Sequence, residues 1–326
     1  MSAVEIVEVG PRDGFQAVVP LIPTDEKIRI CQGLIGTGIK RLEAGAFVSP
    51  RAIPQMADIK QVLKAIGKPE GLRLSVLVPN AKGGLMALEE GVDEIVFVIS
   101  VSETHNRSNV SRSVEESFAD LARLLEAAPR PFRLRLNLAT CFDCPFEGKI
   151  DPDRVRQAVE KALTLAPELE FGICDTTGRA FPDHVRNLMS TLLSRYGSER
   201  TSFAFHGHDT YGLGIANALA AYEAGTRIFD VAAGGLGGCP FAPGATGNTA
   251  TEDLVFTFEN MGISTGIDLD KLLAVADRAV VIPGACIGGH VRSLPRQRVL
   301  NVPRSHRQAS HERGIVSNSW RCASFS

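Results

Sequence analysis

The chain has 326 residues, a formal net charge of −2 at pH 7, 44% hydrophobic residues and 22% charged residues. This balance excludes a strongly basic nucleic-acid binder, and no apolar run approaches the roughly 18 residues of a membrane span. The seven cysteines are scattered and odd in number, which argues against a disulfide framework. We therefore expect a cytoplasmic protein with neither a nucleic-acid nor a membrane partner; a mature organellar protein is the alternative.

The first predicted strand, Val4–Val9, is rich in β-branched residues and ends at Gly10-Pro11. Arg12 and Asp13 follow directly, at what would be the carboxyl end of that strand. In parallel α/β folds this end is where ligands are bound. Taken alone, an Arg-Asp pair in a turn is more often a solvated ion pair, so the rest of the chain has to decide between the two interpretations.

Strand-like and helix-like segments alternate along the chain at a spacing of roughly 30 residues, as in a (β/α)₈ TIM barrel. The predicted strands are Val4–Val9, Arg41–Glu43, Arg73–Val78, Glu94–Ser100, Phe132–Leu138, Glu168–Cys174, Ser202–Phe205 and Ile228–Ala232. The predicted helices are Thr24–Ile35, Ile53–Ile66, Ala81–Glu90, Val114–Ala127, Asp153–Thr164, Asp183–Ser194, Leu213–Glu223 and Glu252–Met261. A doubly wound open sheet is the alternative, but the first turn lacks the glycine-rich G-x-G-x-x-G pattern.

The segment after the eighth unit has a different character. One further helix is predicted at Leu269–Val281, and beyond Pro283 glycine, proline, serine and arginine dominate. The arginines that follow Gly288 are accompanied by a single acid, Glu312. We predict a barrel domain over residues 1–285 and a basic C-terminal extension over 286–326 that has little packed structure.

A TIM barrel carries its chemistry at the carboxyl ends of its strands, so the residues at those ends are the candidate site residues. Strand two ends at Glu43, strand six at Asp175, strand seven in FHGHDTYG, and strand eight leads into AAGGLGGCPFAPGATGN. His206 and His208 alternate along one strand, so their side chains point the same way. A stray histidine pair is the plain interpretation, but barrel closure brings Asp13 beside strand eight and near strand seven.

Two imidazoles, the Asp13 carboxylate and the amide oxygen of Asn248 would form an open site rich in hard ligands. Such a set suits Mg²⁺ or Mn²⁺ better than a closed structural zinc site. The Cys141-x-x-Cys144 pair lacks a second pair at zinc-finger spacing, so we give it no redox or zinc role. A Schiff-base aldolase would need a lysine at a strand end, whereas Lys149 belongs to a loop.

Five segments together resemble the 3-hydroxy-3-methylglutaryl-CoA lyases, which are metal-dependent lyase barrels. The segments are VEVGPRDGFQ, LEAGAFVSP, CDTTG, FHGHDTYG and GGLGGCPFAPGATGNTATEDLV. The resemblance covers about residues 4 to 285, and Val9-Gly10-Pro11 before Arg12 favours the lyase branch over the related condensing enzymes. It implies cleavage of a 3-hydroxy-3-substituted acyl-CoA to a shorter acyl-CoA and a keto acid, a role in leucine catabolism, and a homodimer.

The resemblance also implies roles for individual residues. Asp13, His206, His208 and Asn248 would hold Mg²⁺ or Mn²⁺. Cys239, Arg12, Glu43 and Asp175 would be catalytic, and Arg12 and Gln16 would contact substrate. In this assignment Cys239 is the thiol that protonates the enolate, Arg12 stabilises charge on the reacting oxygens, and Glu43 supports Arg12.

The chain departs from the family pattern after strand two, where Ala44-Gly45-Ala46 replaces residues that usually carry hydroxyl groups. We therefore expect a less polar acyl pocket, which leaves open whether the acyl group is 3-methylglutaryl. A lyase for a related substrate such as citramalyl-CoA, and a condensing enzyme of the same superfamily, remain alternatives. A barrel without catalytic activity is a more remote one.

Overall fold

The computed structural model describes residues 3–129, 131–238 and 247–301. Eight strands pair in parallel and close into a barrel in the order β1-β10-β9-β8-β5-β4-β3-β2. The barrel strands are β1 (Glu5–Glu8), β2 (Arg41–Ala46), β3 (Arg73–Val78), β4 (Glu94–Ser100), β5 (Arg133–Ala139), β8 (Leu169–Asp175), β9 (Thr201–Gly207) and β10 (Ile228–Val231). The remaining strands, β6 (Asp143–Cys144) and β7 (Gly148–Lys149), form a small antiparallel hairpin. The predicted TIM barrel is confirmed.

Helices follow the barrel strands and surround them. They are α1 (Thr24–Gly36), α2 (Ile59–Ile66), α3 (Ala81–Glu89), α4 (Glu103–Val110), α5 (Val114–Ala127), α6 (Pro152–Leu165), α7 (Pro182–Tyr196), α8 (Gly214–Glu223), α9 (Thr251–Asn260), α10 (Leu269–Ala279) and α11 (Arg296–Leu300). Helix α5 begins with a reciprocal capping box formed by Ser113 and Glu116. Within the described ranges, no helix is long and apolar enough to cross a membrane.

Three local features differ from the sequence expectations. A π-helical turn, Gly10–Gly14, follows β1 where a simple turn was expected. The predicted helix Ile53–Ile66 starts late, because a separate 3₁₀ turn, Pro54–Met56, precedes α2. The polar loop after β4 contains α4, whose first turn is capped by the Ser102 hydroxyl accepting from the His105 amide at 3.1 Å.

The apolar core lies between the barrel and the helices, while the barrel interior is largely charged. Near the amino ends of the strands, Arg41 contacts Glu94 and Glu170, with Nη2 at 2.6 Å from an oxygen of each. Arg135 Nη1 lies 3.3 Å from Glu170 Oε1. Both arginines are fully buried, and pairing with carboxylates offsets the large cost of taking a charge out of water.

The chain after α10 returns to the barrel. The Gly288 amide donates to the Gly234 carbonyl at 2.9 Å. The Asp253 carboxylate on α9 accepts from the amides of His290 and Val291, each at 2.8 Å. The first part of the predicted extension therefore contacts the loop that follows β10, whereas residues 302–326 lie outside the described ranges. The domain boundary at 285/286 stays a prediction.

Candidate metal and active site

The π-helical turn after β1 places Arg12 and Asp13 at the carboxyl-terminal mouth of the barrel. The Val9 carbonyl accepts from both amides, at 3.0 Å for Arg12 and 2.7 Å for Asp13. This tight turn directs both side chains into the buried mouth, where Arg12 contacts Asp13 and Glu43 through its guanidinium. The predicted support of Arg12 by Glu43 thus corresponds to a direct contact.

His206 in β9 and His208 just after it converge on Asp13. The Nε2 atoms of His206 and His208 are 3.2 Å apart. Asp13 Oδ2 lies 3.5 Å from His208 Nε2 and 3.9 Å from His206 Nε2. All three side chains are buried, and among the described residues they form the one cluster of histidines, cysteines and acids with metal-binding spacing.

Asn248, at the end of the glycine-rich loop that follows β10, is the fourth predicted metal ligand and contacts Asp13. Its Nδ2 donates to Asp13 Oδ2 at 2.8 Å and to the Leu236 carbonyl at 2.9 Å. Its Oδ1 is buried and accepts no hydrogen bond from the described residues. An unsatisfied buried acceptor on a residue that contacts Asp13 and pairs with His208 through the backbone fits a hard divalent cation, because the ion would supply the missing partner.

The charges of this cluster favour an ionised Asp13. Burial alone would raise the pKa of Asp13, but the adjacent Arg12 guanidinium and the two imidazoles hold it well below its usual range. Arg12 stays charged, since Asp13 and Glu43 raise its pKa more than burial lowers it. The carboxylate is therefore in the form that binds a metal ion at any physiological pH.

Asp175 and Gln16 lie at the edge of this cluster. The β8–β9 register pairs Asp175 with Gly207, between the two histidines. Burial raises the pKa of Asp175 to about 6, although the Ala180 amide and the neighbouring His208 act in the opposite direction. Gln16 Nε2 donates to Asp13 Oδ1 at 2.7 Å. The predicted catalytic role of Asp175 and the substrate role of Gln16 stay predictions.

The Cys239 of the glycine-rich loop lies outside the described residues, so its role stays a prediction. The stem of that loop is described, and two buried carboxylates hold it. Glu8 Oε1 accepts from the Ala233 amide at 3.0 Å, and Glu252 Oε2 accepts from the Gly234 amide at 3.0 Å. Glu8 also accepts from the Thr251 hydroxyl at 2.7 Å, which joins the two sides of the stem.

The sequence did not predict a role for Asp230 or Arg135. Asp230 contacts His206 of the metal cluster, and Arg135 contacts Asp230. Asp230 Oδ2 lies 3.1 Å from His206 Nδ1 and accepts from Arg135 Nη2 at 2.6 Å. Burial would raise the pKa of Asp230, but Arg135 and His206 lower it to about 2. The β9–β10 register places Asp230 opposite His206 on the adjacent strand, and the sequence pattern does not reveal that register.

The expectation that Ala44-Gly45-Ala46 makes the acyl pocket less polar stays a prediction. Ala44 lines a small cavity with Phe15, Met56 and Ile59, on the helical side of the barrel. A Cβ on Gly45 would lie 2.5 Å from Ile59 Cδ1. The pairing of β2 with β3 shifts between Glu43 and Ala46, and Ile59 of α2 lies beside both Ala44 and Gly45.

The cysteines of the C-x-x-C pair have separate partners. Cys141 Sγ donates to the Leu138 carbonyl and Cys144 Sγ donates to the Ser102 hydroxyl, each at 3.0 Å. Burial raises the pKa of Cys141 to about 12. A buried, protonated thiol such as that of Cys141 is neither a ready metal ligand nor a nucleophile.

Comparison with known proteins gives the context for this geometry. The family model described as HMGL-like matches residues 3–279. The chain belongs to the HMGL-like family. The family expected from the sequence motifs is thereby confirmed.

Two curated relatives of the HMGL-like family illustrate its range. Mitochondrial hydroxymethylglutaryl-CoA lyase of Mus musculus is 40% identical over 275 residues, which cover 84% of each chain. (R)-Citramalyl-CoA lyase of Chloroflexus aurantiacus is 38% identical over 288 residues, covering 85% of this chain and 90% of the relative. Two of the activities that the motifs left open, cleavage of hydroxymethylglutaryl-CoA and of citramalyl-CoA, are thus represented among similar members.

Solved structures of the family have the same barrel. Hydroxymethylglutaryl-CoA lyase of Pseudomonas aeruginosa superposes with a TM-score of 0.83 at 35% identity, covering 89% of this chain and 96% of that one. The HMG-CoA lyase of Acinetobacter baumannii, in complex with coenzyme A and 3-methylmalate, has a TM-score of 0.80 at 43% identity and covers 84% and 89%.

Proposed function

We propose that this protein is a divalent-metal-dependent carbon–carbon lyase. Its substrate would be a 3-hydroxy-3-substituted acyl-CoA, split into a shorter acyl-CoA such as acetyl-CoA and a keto acid. The observation that carries the proposal is the convergence of Asp13, His206 and His208 at the barrel mouth in a member of the HMGL-like family. An intact buried ligand set beside a charged arginine argues against a barrel without catalytic activity.

Four side chains would hold the metal ion, Mg²⁺ or Mn²⁺. They are Asp13 through a carboxylate oxygen, His206 and His208 through Nε2, and Asn248 through Oδ1. When bound, the ion would act as a Lewis acid that lowers the pKa of a ligated hydroxyl group and fixes the orientation of substrate oxygens.

The remaining residues would handle charge and protons. Arg12, held by Glu43, is placed to stabilise negative charge on the reacting oxygens. Asp175, with its pKa near 6, can exchange a proton at neutral pH. Cys239 would donate a proton to the carbon of the thioester enolate after the carbon–carbon bond breaks.

Citramalyl-CoA is the second candidate substrate. The chain is almost as similar to a citramalyl-CoA lyase as to hydroxymethylglutaryl-CoA lyases. The Acinetobacter structure contains 3-methylmalate, a branched hydroxy diacid that is not 3-hydroxy-3-methylglutarate. Both substrates carry a tertiary hydroxyl group and a distal carboxylate, so the same metal and the same Arg12 would serve either reaction.

Further parts of the proposal come from the family resemblance. We infer a homodimer in the cytoplasm and, with 3-hydroxy-3-methylglutaryl-CoA as substrate, a role in leucine catabolism. Light scattering coupled to size exclusion would measure the mass, and a mass of about 35 kDa would contradict the dimer.

The metal prediction is tested with the full-length protein. Chelation with EDTA should abolish release of acetyl-CoA from both candidate substrates, and Mg²⁺ or Mn²⁺ should restore it. His206→Ala should weaken Mn²⁺ binding by about 10-fold or more, an extrapolation from the roughly 10–100-fold cost of losing an outer partner of a ligand. His184→Ala is the matched control, because His184 lies on α7 outside the cluster. Full activity in excess EDTA, with metal content verified as nil, would contradict the proposal.

A further inference from the structure

The metal cluster is connected to a buried ion pair inside the barrel. Arg135 on β5 and Asp230 on β10 are 0% and 2% exposed. A single atom, Asp230 Oδ2, accepts from Arg135 Nη2 at 2.6 Å and lies 3.1 Å from His206 Nδ1. We propose that the Arg135–Asp230 pair is a positioning device that holds the His206 ring with a proton on Nδ1 and with Nε2 directed at the metal site. The inference rests on the proposed metal-dependent function.

The geometry explains why one nitrogen is selected. A neutral imidazole carries its proton on either Nδ1 or Nε2, and the nitrogen without the proton is the one that binds a metal ion. An ionised carboxylate can only accept, so Asp230 selects the form with the proton on Nδ1. The Nε2 lone pair then points into the cluster, where His208 Nε2 lies 3.2 Å away. A carboxylate behind a metal-binding histidine both orients the ring and strengthens it as a ligand.

Arg135 is itself held in one place. Its Nε donates to Asn137 Oδ1 at 2.8 Å. The strand next to β5 provides the space: a Cβ on Gly172 would lie 2.7 Å from Arg135 Nη2 and 2.1 Å from Asn137 Oδ1. A glycine at this point of β8 therefore lets the guanidinium cross the barrel to Asp230. The alignment of Asn137, Gly172 and Arg135 fixes the carboxylate that in turn fixes His206.

Stability alone does not account for this pair. Replacing a buried ion pair by apolar residues of similar volume is often neutral or stabilising. The Arg41–Glu94 pair deeper in the barrel is also buried and bidentate, yet it contacts other charges of the interior, such as Glu170, and not His206. It therefore provides a matched control for the general cost of disturbing the charged interior.

The test compares Asp230→Asn with Glu94→Gln in the full-length protein. Asparagine can place its oxygen where Asp230 Oδ2 lies, so the shape is kept and the charge is lost. We expect the Kd for Mn²⁺ to rise about 10-fold or more in Asp230→Asn. Losing a residue that hydrogen-bonds to a metal ligand typically weakens metal binding by roughly 10–100-fold. Glu94→Gln should leave the Kd within about twofold, even if both variants lose similar stability.

A second measurement needs neither metal nor activity. In metal-free protein at pH 8, ¹⁵N-labelled histidine should show His206 with its proton on Nδ1. The Nδ1–H proton resonance should move upfield in Asp230→Asn, because a charge-assisted hydrogen bond is replaced by a neutral one. In Glu94→Gln it should not move.

The outcomes separate the two proposals. If wild-type protein binds no Mn²⁺ but the resonance of His206 shifts as expected, the metal proposal fails and the positioning of His206 stands. An unchanged resonance with an unchanged Kd in folded Asp230→Asn would overturn the inference. If that variant does not fold, Arg135→Lys replaces it. Arg135→Lys keeps the cation but loses the planar fork, and a wild-type Kd and resonance there would overturn the inference equally.

Discussion

Arg12 contacts two carboxylates. Its two possible roles are to bind the substrate and to stabilise charge that develops in the transition state. One carboxylate, Asp13, belongs to the metal cluster, and the other, Glu43, is fully buried and contacts the guanidinium Nε. The side chain is thereby held at the barrel mouth beside the metal cluster. A residue that only bound substrate would affect the KM, whereas one that stabilises developing charge affects kcat.

Arg12→Gln is therefore expected to lower kcat by about 100-fold or more, the scale seen when an oxyanion donor is lost. Mn²⁺ binding should survive, because Arg12 is not a ligand. Steady-state kinetics and calorimetric titration of Mn²⁺ measure the two effects separately. Arg179→Gln, at an exposed position beside the mouth, is the control. A raised KM with unchanged kcat would assign Arg12 to binding alone.

At the scale of elements, the β-strands determine the site through their register. His206 and His208 share a face of β9, and β10 places Asp230 opposite His206. Across the barrel, β5 contributes Arg135 and β8 contributes the gap at Gly172. The arrangement depends on four strands, β5, β8, β9 and β10, whose side chains meet at the barrel axis. Because these side chains are in contact, a substitution on one strand displaces side chains on its neighbours.

Gly172→Ala tests this dependence. The added methyl group would come within 2.1 Å of Asn137 Oδ1, which forces the buried guanidinium and amide to move. Overpacking of this kind typically costs about 1–3 kcal/mol, so the free energy of unfolding in urea should fall by that amount.

Gly36→Ala is the matched control, since nothing lies within 4 Å of its Cβ position at the end of α1. That change should be neutral or stabilising by roughly 0.4–1 kcal/mol. Equal effects of the two substitutions would show that the barrel interior accommodates a side chain at residue 172.

At the scale of the whole molecule, periodicity and strand-end chemistry were sufficient to predict the barrel and the convergence of Asp13, His206, His208 and Asn248. Each of these side chains sits near a strand end, and the fold brings strand ends together. Asp230 and Arg135 were missed because they lie within strands, where alternation indicates only that a residue points inward. Which charges meet across the barrel depends on register and side-chain length, and neither is visible in the local pattern. The shift in strand pairing between Glu43 and Ala46 was not predicted for the same reason.

Two buried carboxylates make the stability of the whole chain depend on pH. Burial raises the pKa of Glu8 to about 7, against the hydrogen bonds from Thr251, Ala233 and Gly10, and burial raises that of Glu252 to about 7 as well. In the unfolded chain both groups return to ordinary values near 4.5. Between these values the folded protein binds more protons than the unfolded chain, so stability is greatest below about 4.5 for these groups and is lost as the pH rises through 7.

The expected loss is on the order of 3 kcal/mol for each group, because one pKa unit corresponds to about 1.36 kcal/mol. Urea unfolding at pH 5, 6, 7 and 8 measures it as the difference between wild type and Glu8→Gln. Glutamine can still accept from the Ala233 and Gly10 amides and can donate to the Thr251 hydroxyl, so the variant removes the titration while keeping the stem of the glycine-rich loop. As the pH rises from 5 to 8, the free energy of unfolding of Glu8→Gln should increase relative to that of wild type, because only the wild type loses the contribution of a protonated Glu8. A difference that stays constant across this range would show that Glu8 titrates at the same pH in both states and that its burial imposes no proton uptake on folding.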